Sequence, residues 1–169
     1  MSMYPYLYFT NTTREAMTRY QEILGGQLDI MSAADMPASE EMPFEVPADF
    51  VIHAALTFAD GGRLMASDDP TGDGSGMKGF AVNITIDDAD EARRIFDALA
   101  EGGSVGMALD ETFWSPLFGS CEDRFGVAWM VNVEPVPPAD PQGQRGRLQQ
   151  GLGLPHQPMT GPLVVLRAD

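Results

Sequence analysis

The sequence holds one cysteine, Cys121, in 169 residues. An internal disulfide is therefore excluded, and so is a cysteine-built metal site. A reducing cytoplasm is the expected compartment, and stability must come from packing. No apolar run approaches the roughly 18–20 residues that a membrane-crossing helix needs. The opening MSMYPYLYF lacks a basic stretch followed by a long apolar one, so no secretory signal is expected. Histidine is nearly absent, with only His53 and His156. Basic residues are scarce as well: 10 Lys and Arg face 25 Asp and Glu, a formal charge of −15. Residues 1–134 carry 7 basic and 23 acidic side chains, net −16, whereas residues 135–169 carry 3 and 2, net +1. Such an acidic surface repels phosphate backbones, which argues against nucleic acid as a partner. Its plain role is a solvated face that keeps the chain soluble.

What is present is a core-forming fraction of 44% hydrophobic residues and an internal repeat. Arg14-Glu15-Ala16 precedes Gly25-Gly26, and Asp90-Glu91-Ala92 precedes Gly102-Gly103 at nearly the same spacing. A short apolar strand pattern lies before each copy, Tyr4 to Phe9 and Phe80 to Ile86. Ala16, Tyr20, Ile23 and Leu24 fall on one helical face, as do Ala92, Ile95, Phe96 and Leu99. Thr12 with Glu15 has capping-box spacing, and Asp88 can cap the second helix. The Gly-Gly pairs suit left-handed helix ends. Strands are expected at Gln27–Ser32, Val51–Phe58 and Arg63–Ser67, then at Ser104–Leu109, Leu117–Glu122 and Val127–Val133. Ala59–Gly62 and Asp123–Gly126 are the matching hairpin turns.

Each half thus reads β-α-β-β-β. The expected class is α+β, two tandem βαβββ modules forming a curved sheet cup, over residues 1–69 and 79–134. Pro70–Lys78 is the expected linker, and Ala34–Asp49, with three prolines, an expected flap. Residues 135–169 hold 7 of the 13 prolines and read as a mostly irregular tail, in which Leu163–Leu166 could add an edge strand.

Several strings resemble the PhnB-like branch of the vicinal-oxygen-chelate (glyoxalase/bleomycin resistance/dioxygenase) superfamily. They are Pro5-Tyr6-Leu7-Tyr8-Phe9, Arg14-Glu15-Ala16-Met17, Leu24-Gly25-Gly26, Ile52-His53-Ala54, Leu64-Met65-Ala66-Ser67-Asp68, Thr112-Phe113-Trp114, and Asp123-Arg124-Phe125-Gly126-Val127-Ala128-Trp129-Met130. The resemblance spans residues 4–133 in order. It implies two curved sheets with helices on the convex side, small-molecule substrates, and a homodimer in which the cup is often built from two chains. It also brings a demethylubiquinone methyltransferase label. That chemistry expects a Gly-rich turn between a strand and a helix, whereas Gly72, Gly74 and Gly76 fall between strand patterns.

The superfamily's lyases and dioxygenases hold a divalent metal with His, Glu or Gln on the first and last strands of each module, a donor set that leaves positions open for substrate. Alternation places Tyr4, Tyr6 and Tyr8 toward the cup in the first strand, and Ala81, Asn83 and Thr85 in the fifth. Counting from Gly62 and Gly126 puts the four ligand positions near Tyr4, Ala66, Ala81 and Met130, and a one-residue slip brings in Ser67, Asn83 or Val131. Neither set is a competent metal site, so no metal and no cofactor are expected.

The candidate pocket residues are Tyr6, Tyr8, His53, Ser67, Asn83, Phe113, Trp114 and Met130. His53, in the apolar run Val51–Leu56, reads either as a polar anchor or base in the cup, since imidazole changes charge near neutral pH, or as a core residue bonded to a carbonyl. Phe113 and Trp114 read as a pocket wall or as a plug at one end of the core. Ser67 reads chiefly as a turn former and Cys121 as structural. The expected function is a small-molecule-binding protein or metal-independent enzyme. The alternatives are a metal-dependent lyase or dioxygenase, a methyltransferase, and a sequestering protein for cationic ligands.

Overall fold

The computed structural model describes residues 2–37, 45–72 and 77–134. The tail at 135–169, the middle of the flap and residues 73–76 of the linker lie outside the described residues. The first module runs β1 (Tyr6–Phe9), α1 (Thr13–Leu24), β2 (Gln27–Ser32), a 3-10 turn (Ala33–Asp35), β3 (Val51–Thr57) and β4 (Arg63–Asp68). The second repeats the pattern with β5 (Val82–Ile86), α2 (Ala89–Ala100), β6 (Ser104–Asp110), β7 (Leu117–Glu122) and β8 (Ala128–Val133). Each module makes its own four-stranded sheet, ordered β1-β4-β3-β2 and β5-β8-β7-β6. In both, the first strand pairs parallel to the last, and the remaining neighbours are antiparallel.

Alternation decides the layers. Leu7 and Phe9 of β1, Leu64 and Ala66 of β4, and Trp129, Val131 and Val133 of β8 are buried. They share one core with Ala16, Met17, Tyr20 and Ile23 of α1 and with Ala92, Ile95, Phe96 and Leu99 of α2. The predicted helical stripes are thus the buried ones, Leu24 being partly buried. Among the described residues, the other face of each sheet carries no helix. Tyr6, Tyr8, Asn83 and Thr85 stand there, exposed.

Both hairpins form as the glycines require. Gly61 and Gly126 adopt φ of +89° and +81°, a left-handed backbone that side chains with a Cβ resist. Asp88 caps α2, accepting from the Asp90 and Glu91 N–H groups at 2.8 and 2.9 Å. The expected box at the start of α1 does not form, because the Thr12 side chain makes no cap bond. Asp68, at the end of β4, takes that place. Its Oδ1 accepts from the Thr13 N–H at 3.1 Å and the Thr13 hydroxyl at 2.6 Å, and its Oδ2 accepts from the Val51 N–H at 2.8 Å. A carboxylate from the sheet thereby ties the positive end of the helix dipole to two strands.

The modules are joined by a buried carboxylate, Asp123. Its Oδ2 accepts from the Tyr20 hydroxyl at 2.6 Å and the Trp129 indole at 2.8 Å. Its Oδ1 accepts from the Phe125 and Val127 N–H groups at 2.8 and 3.0 Å. Tyr20 belongs to the first module and the other partners to the second. Edge-to-face rings add to the seam, Tyr20 with Trp129 at 5.1 Å and Phe9 with Phe125 at 6.5 Å. Arg94 reaches from α2 to the Ile23 carbonyl at 2.7 Å.

Candidate functional site

The helix-free face of the first sheet gathers aromatic and polar groups from three strands. Register sets Tyr6 beside Met65 and Tyr8 beside Ser67. His53, on β3, faces the same way because it alternates with buried Ala54. The Tyr6 hydroxyl lies 3.1 Å from His53 Nδ1, across the intervening strand β4. The ring of Tyr6 is 5.2 Å from that of Tyr8 and 5.8 Å from the His53 imidazole. His53 is therefore a half-buried residue of the open face, bonded to a phenol. Ser67 is a strand residue on this face, not a turn former, and is nearly covered by its neighbours. Met31, opposite His53 on β2, extends the surface and is half exposed.

A second group lies on the second sheet. Asn83 and Met130 are register partners on β5 and β8. Asn83 donates to the Thr85 hydroxyl at 3.1 Å. Phe118 stands on the same face of β7 as Ser120, the register partner of Met130. Phe113 and Trp114 sit in the loop between β6 and β7, and their rings continue to Phe118 in an edge-to-face series at 4.5 and 5.7 Å. Phe113 is 96% exposed, so these rings do not plug the core. Thr112 helps close this turn. Its N–H donates to the Ser115 carbonyl, and its hydroxyl accepts from the Ser115 N–H. The Ser115 hydroxyl is 2.7 Å from the Leu117 carbonyl and 2.8 Å from the Val133 carbonyl, a buried clamp on the strand that follows.

The eight predicted residues therefore form two groups, one per sheet. Phe118 and Met65 are additions that alternation in β7 and β4 could have supplied. One placement is corrected. Ala66, expected at a ligand position in the cup, pairs with Leu7 and is fully buried on the helix side. The count from Gly62 slips by one residue, so Met65 and Ser67 face the open side instead.

The metal of the better-known relatives does not fit these residues. The positions that would hold it present Tyr4, Ser67, Ala81 or Asn83, and Met130. Among the described residues, no three His, Cys, Asp or Glu side chains come together in a way that could hold an ion.

Cys121 lies on the helix side of β7 and is buried. Burial foremost, with the Asp123 carboxylate adding to it, pushes its thiol up to about 11. Well under 1% should be thiolate at neutral pH. Alkylation of the folded protein with iodoacetamide at pH 7.5 should therefore run at least about a hundredfold slower than alkylation of the urea-unfolded chain, followed by mass spectrometry. Equal rates would show an accessible, activated thiol.

The sequence profile of the glyoxalase/bleomycin resistance protein/dioxygenase superfamily matches residues 4–131. The chain belongs to this superfamily. It is 36% identical to protein YjdN of Escherichia coli K12 over 141 residues, covering 79% of this chain and 95% of that protein. The crystal structure of PA1353 from Pseudomonas aeruginosa is similar at 43% identity with a TM-score of 0.71, covering 80% and 99% of the two chains. A PhnB protein of Bacillus cereus, described as a putative 3-demethylubiquinone-9 3-methyltransferase, matches at 25% identity and a TM-score of 0.63, over 79% and 100%. This superfamily member's two mixed sheets and two helices are thus a shared α+β architecture, and its PhnB-like character rests on a solved relative. Among the described residues, no helix is long and apolar enough to cross a membrane.

Proposed function

We propose that this superfamily member binds a compact small molecule on the helix-free face of its first sheet, without a bound metal, and that a second copy covers the site. The observation that carries the reading is the Tyr6–His53 pair at 3.1 Å, set beside the Tyr8 ring. An imidazole bonded to a phenol offers one fixed polar contact in an otherwise aromatic and thioether surface, the usual composition of a small-molecule site. The same pair can give or take a proton, so the reading extends to metal-free acid–base chemistry on the bound molecule.

A partner copy is supported by exposure. Tyr8 is 57%, Met31 52% and Trp114 53% exposed in the single chain. Large exposed rings and thioethers on open sheet faces are what a covering surface removes from water. A homodimer that brings Phe113, Trp114, Asn83 and Met130 of one copy over Tyr6, Tyr8, His53 and Ser67 of the other would make one pocket from the two groups. The same reading takes residues 1–69 and 79–134 as the two modules and the cytoplasm as the compartment, in keeping with a single buried thiol.

Methyl transfer receives no support from the backbone. Among the described residues, the element that follows Gly72 is the strand β5 and not a helix that would cradle a methyl donor.

The test is a thermal-shift screen of small aromatic and apolar metabolites on the full chain, before and after EDTA and dialysis. Ligands that bind the folded state raise the melting temperature by mass action. The expected result is a ligand-dependent rise that survives EDTA and falls about tenfold or more in apparent affinity in Tyr6→Phe and His53→Ala, each folded as the parent is. Sedimentation should give a dimer. A rise that needs stoichiometric metal, or that ignores both substitutions, would overturn the reading.

A further inference from the structure

The edge of β5 borders a cleft that lies apart from the Tyr6–His53 pair. Val82 to Thr85 line it together with Pro5, Arg63 and Leu64. The cleft measures about 420 Å³, within the range of small-molecule pockets (roughly 300–1,000 Å³). Its apolar lining includes Leu24, Phe58, Leu64, Ile95 and Trp129, drawn from both modules. Among the described residues β5 pairs only with β8, which leaves the backbone groups on its other edge without a strand partner.

The rim has a specific charge. Arg63 is one of only ten basic residues in a chain of net charge −15. Its guanidinium lies 5.9 Å from the centre of the Tyr4 ring, and it is not among the arginines that form ion pairs with described carboxylates. Asp60 also borders the cleft, but one of its oxygens accepts the Gly62 N–H at 2.8 Å within the hairpin turn. Asn83 and Thr85 add an amide and a hydroxyl to the lining.

We propose that this inter-module cleft is a second ligand site, for an amphipathic carboxylic acid whose apolar body lies on Leu24, Phe58, Leu64, Ile95 and Trp129 and whose carboxylate meets Arg63. Three features select that chemistry over its rivals. The floor is apolar, so a fully polar anion finds no area to bury. Arg63 offers a planar fork of donors to a carboxylate and repels a cation. The remaining field of the protein is acidic, so an anion is held at Arg63 or not at all. The cleft lies apart from the Tyr6–His53 pair; it shares Asn83 with the pocket proposed for the dimer, but its occupation requires no dimer.

The experiment uses the full chain and decanoate as the probe, with decyltrimethylammonium and decanol as charge controls, followed by amide shifts in two-dimensional NMR. Decanoate should move the amides of Val82–Thr85 and of Phe58–Leu64, leave that of His53 unmoved, and bind more tightly than either control. Arg63→Gln, an exposed position whose loss leaves the core intact, should weaken decanoate about tenfold and leave decanol unchanged. Thr85→Asp, which adds to the cleft lining a negative charge that repels decanoate, should also weaken it. Equal binding of the three probes, an affinity indifferent to Arg63→Gln, no binding, or shifts confined to the Tyr6–His53 face would each overturn the proposal. The last outcome would leave the first site standing.

Discussion

Asp123→Ala should cost at least about 3 kcal/mol of stability, because it strands three buried donors and one half-buried donor at once. The Tyr20 hydroxyl, the Trp129 indole and the Phe125 and Val127 N–H groups all give their hydrogens to this one carboxylate. Two of these bonds hold the β7–β8 hairpin in shape, and the Tyr20 bond joins the modules. A drop in melting temperature of about 10 °C or more is expected, read by circular dichroism. Asp123→Asn should recover only part of the loss, since its amide nitrogen is a donor and must face one of the two donor pairs. A loss under about 1 kcal/mol for Asp123→Ala would show that water replaces the carboxylate.

The same network sets an alkaline limit. Burial, then the charge and hydrogen bond of Asp123, raise the Tyr20 phenol far above its ordinary value of 10.0. The unfolded chain releases that proton near pH 10, while the folded chain retains it. Stability supplied by the protonated phenol is therefore complete below pH 10 and declines as pH rises further. Urea titrations between pH 8 and pH 11 should show this decline, and Tyr20→Phe should flatten it while lowering stability at pH 8. An unchanged alkaline slope in Tyr20→Phe would remove this residue as its cause.

Asp68→Ala should cost about 2–4 kcal/mol, the second largest effect expected. It removes the cap of α1 and the partner of the Val51 N–H in one step. Thr12→Ala is the informative control. Capping-box spacing would assign it about 1 kcal/mol, whereas the geometry assigns it less than about 0.5, because its side chain makes no cap bond. Denaturant unfolding of both variants distinguishes these accounts. A Thr12→Ala loss equal to that of Asp68→Ala would restore the local box.

The contrast between Asp88 and Asp68 shows where sequence reasoning reaches. Asp88 caps its helix through N–H groups two and three residues away, so the motif is contiguous. Asp68 caps α1 from 55 residues away, and nothing near Thr12 signals it. Tyr6 and His53 were both legible as candidates from alternation within their strands. Their contact, 47 residues apart, depends on β4 running between them. Ala66 went astray because counting from a turn glycine fixes strand parity only if the first residue of the strand is known. One residue of error turns every side chain to the other face.

The sequence by itself determined the duplicated βαβββ pattern, both hairpins, the helical stripes that form the core and the superfamily. These follow from periodicity and turn chemistry, which act over a few residues, and from strings that stand in order along the chain. Tertiary structure alone decided which carboxylates are buried ties, which alternating face of β4 is open, and that the aromatic candidates divide between two sheets. Each of those outcomes depends on strands meeting at a particular register and on hydrogen bonds between distant residues, and such geometry exists only once the sheets have packed.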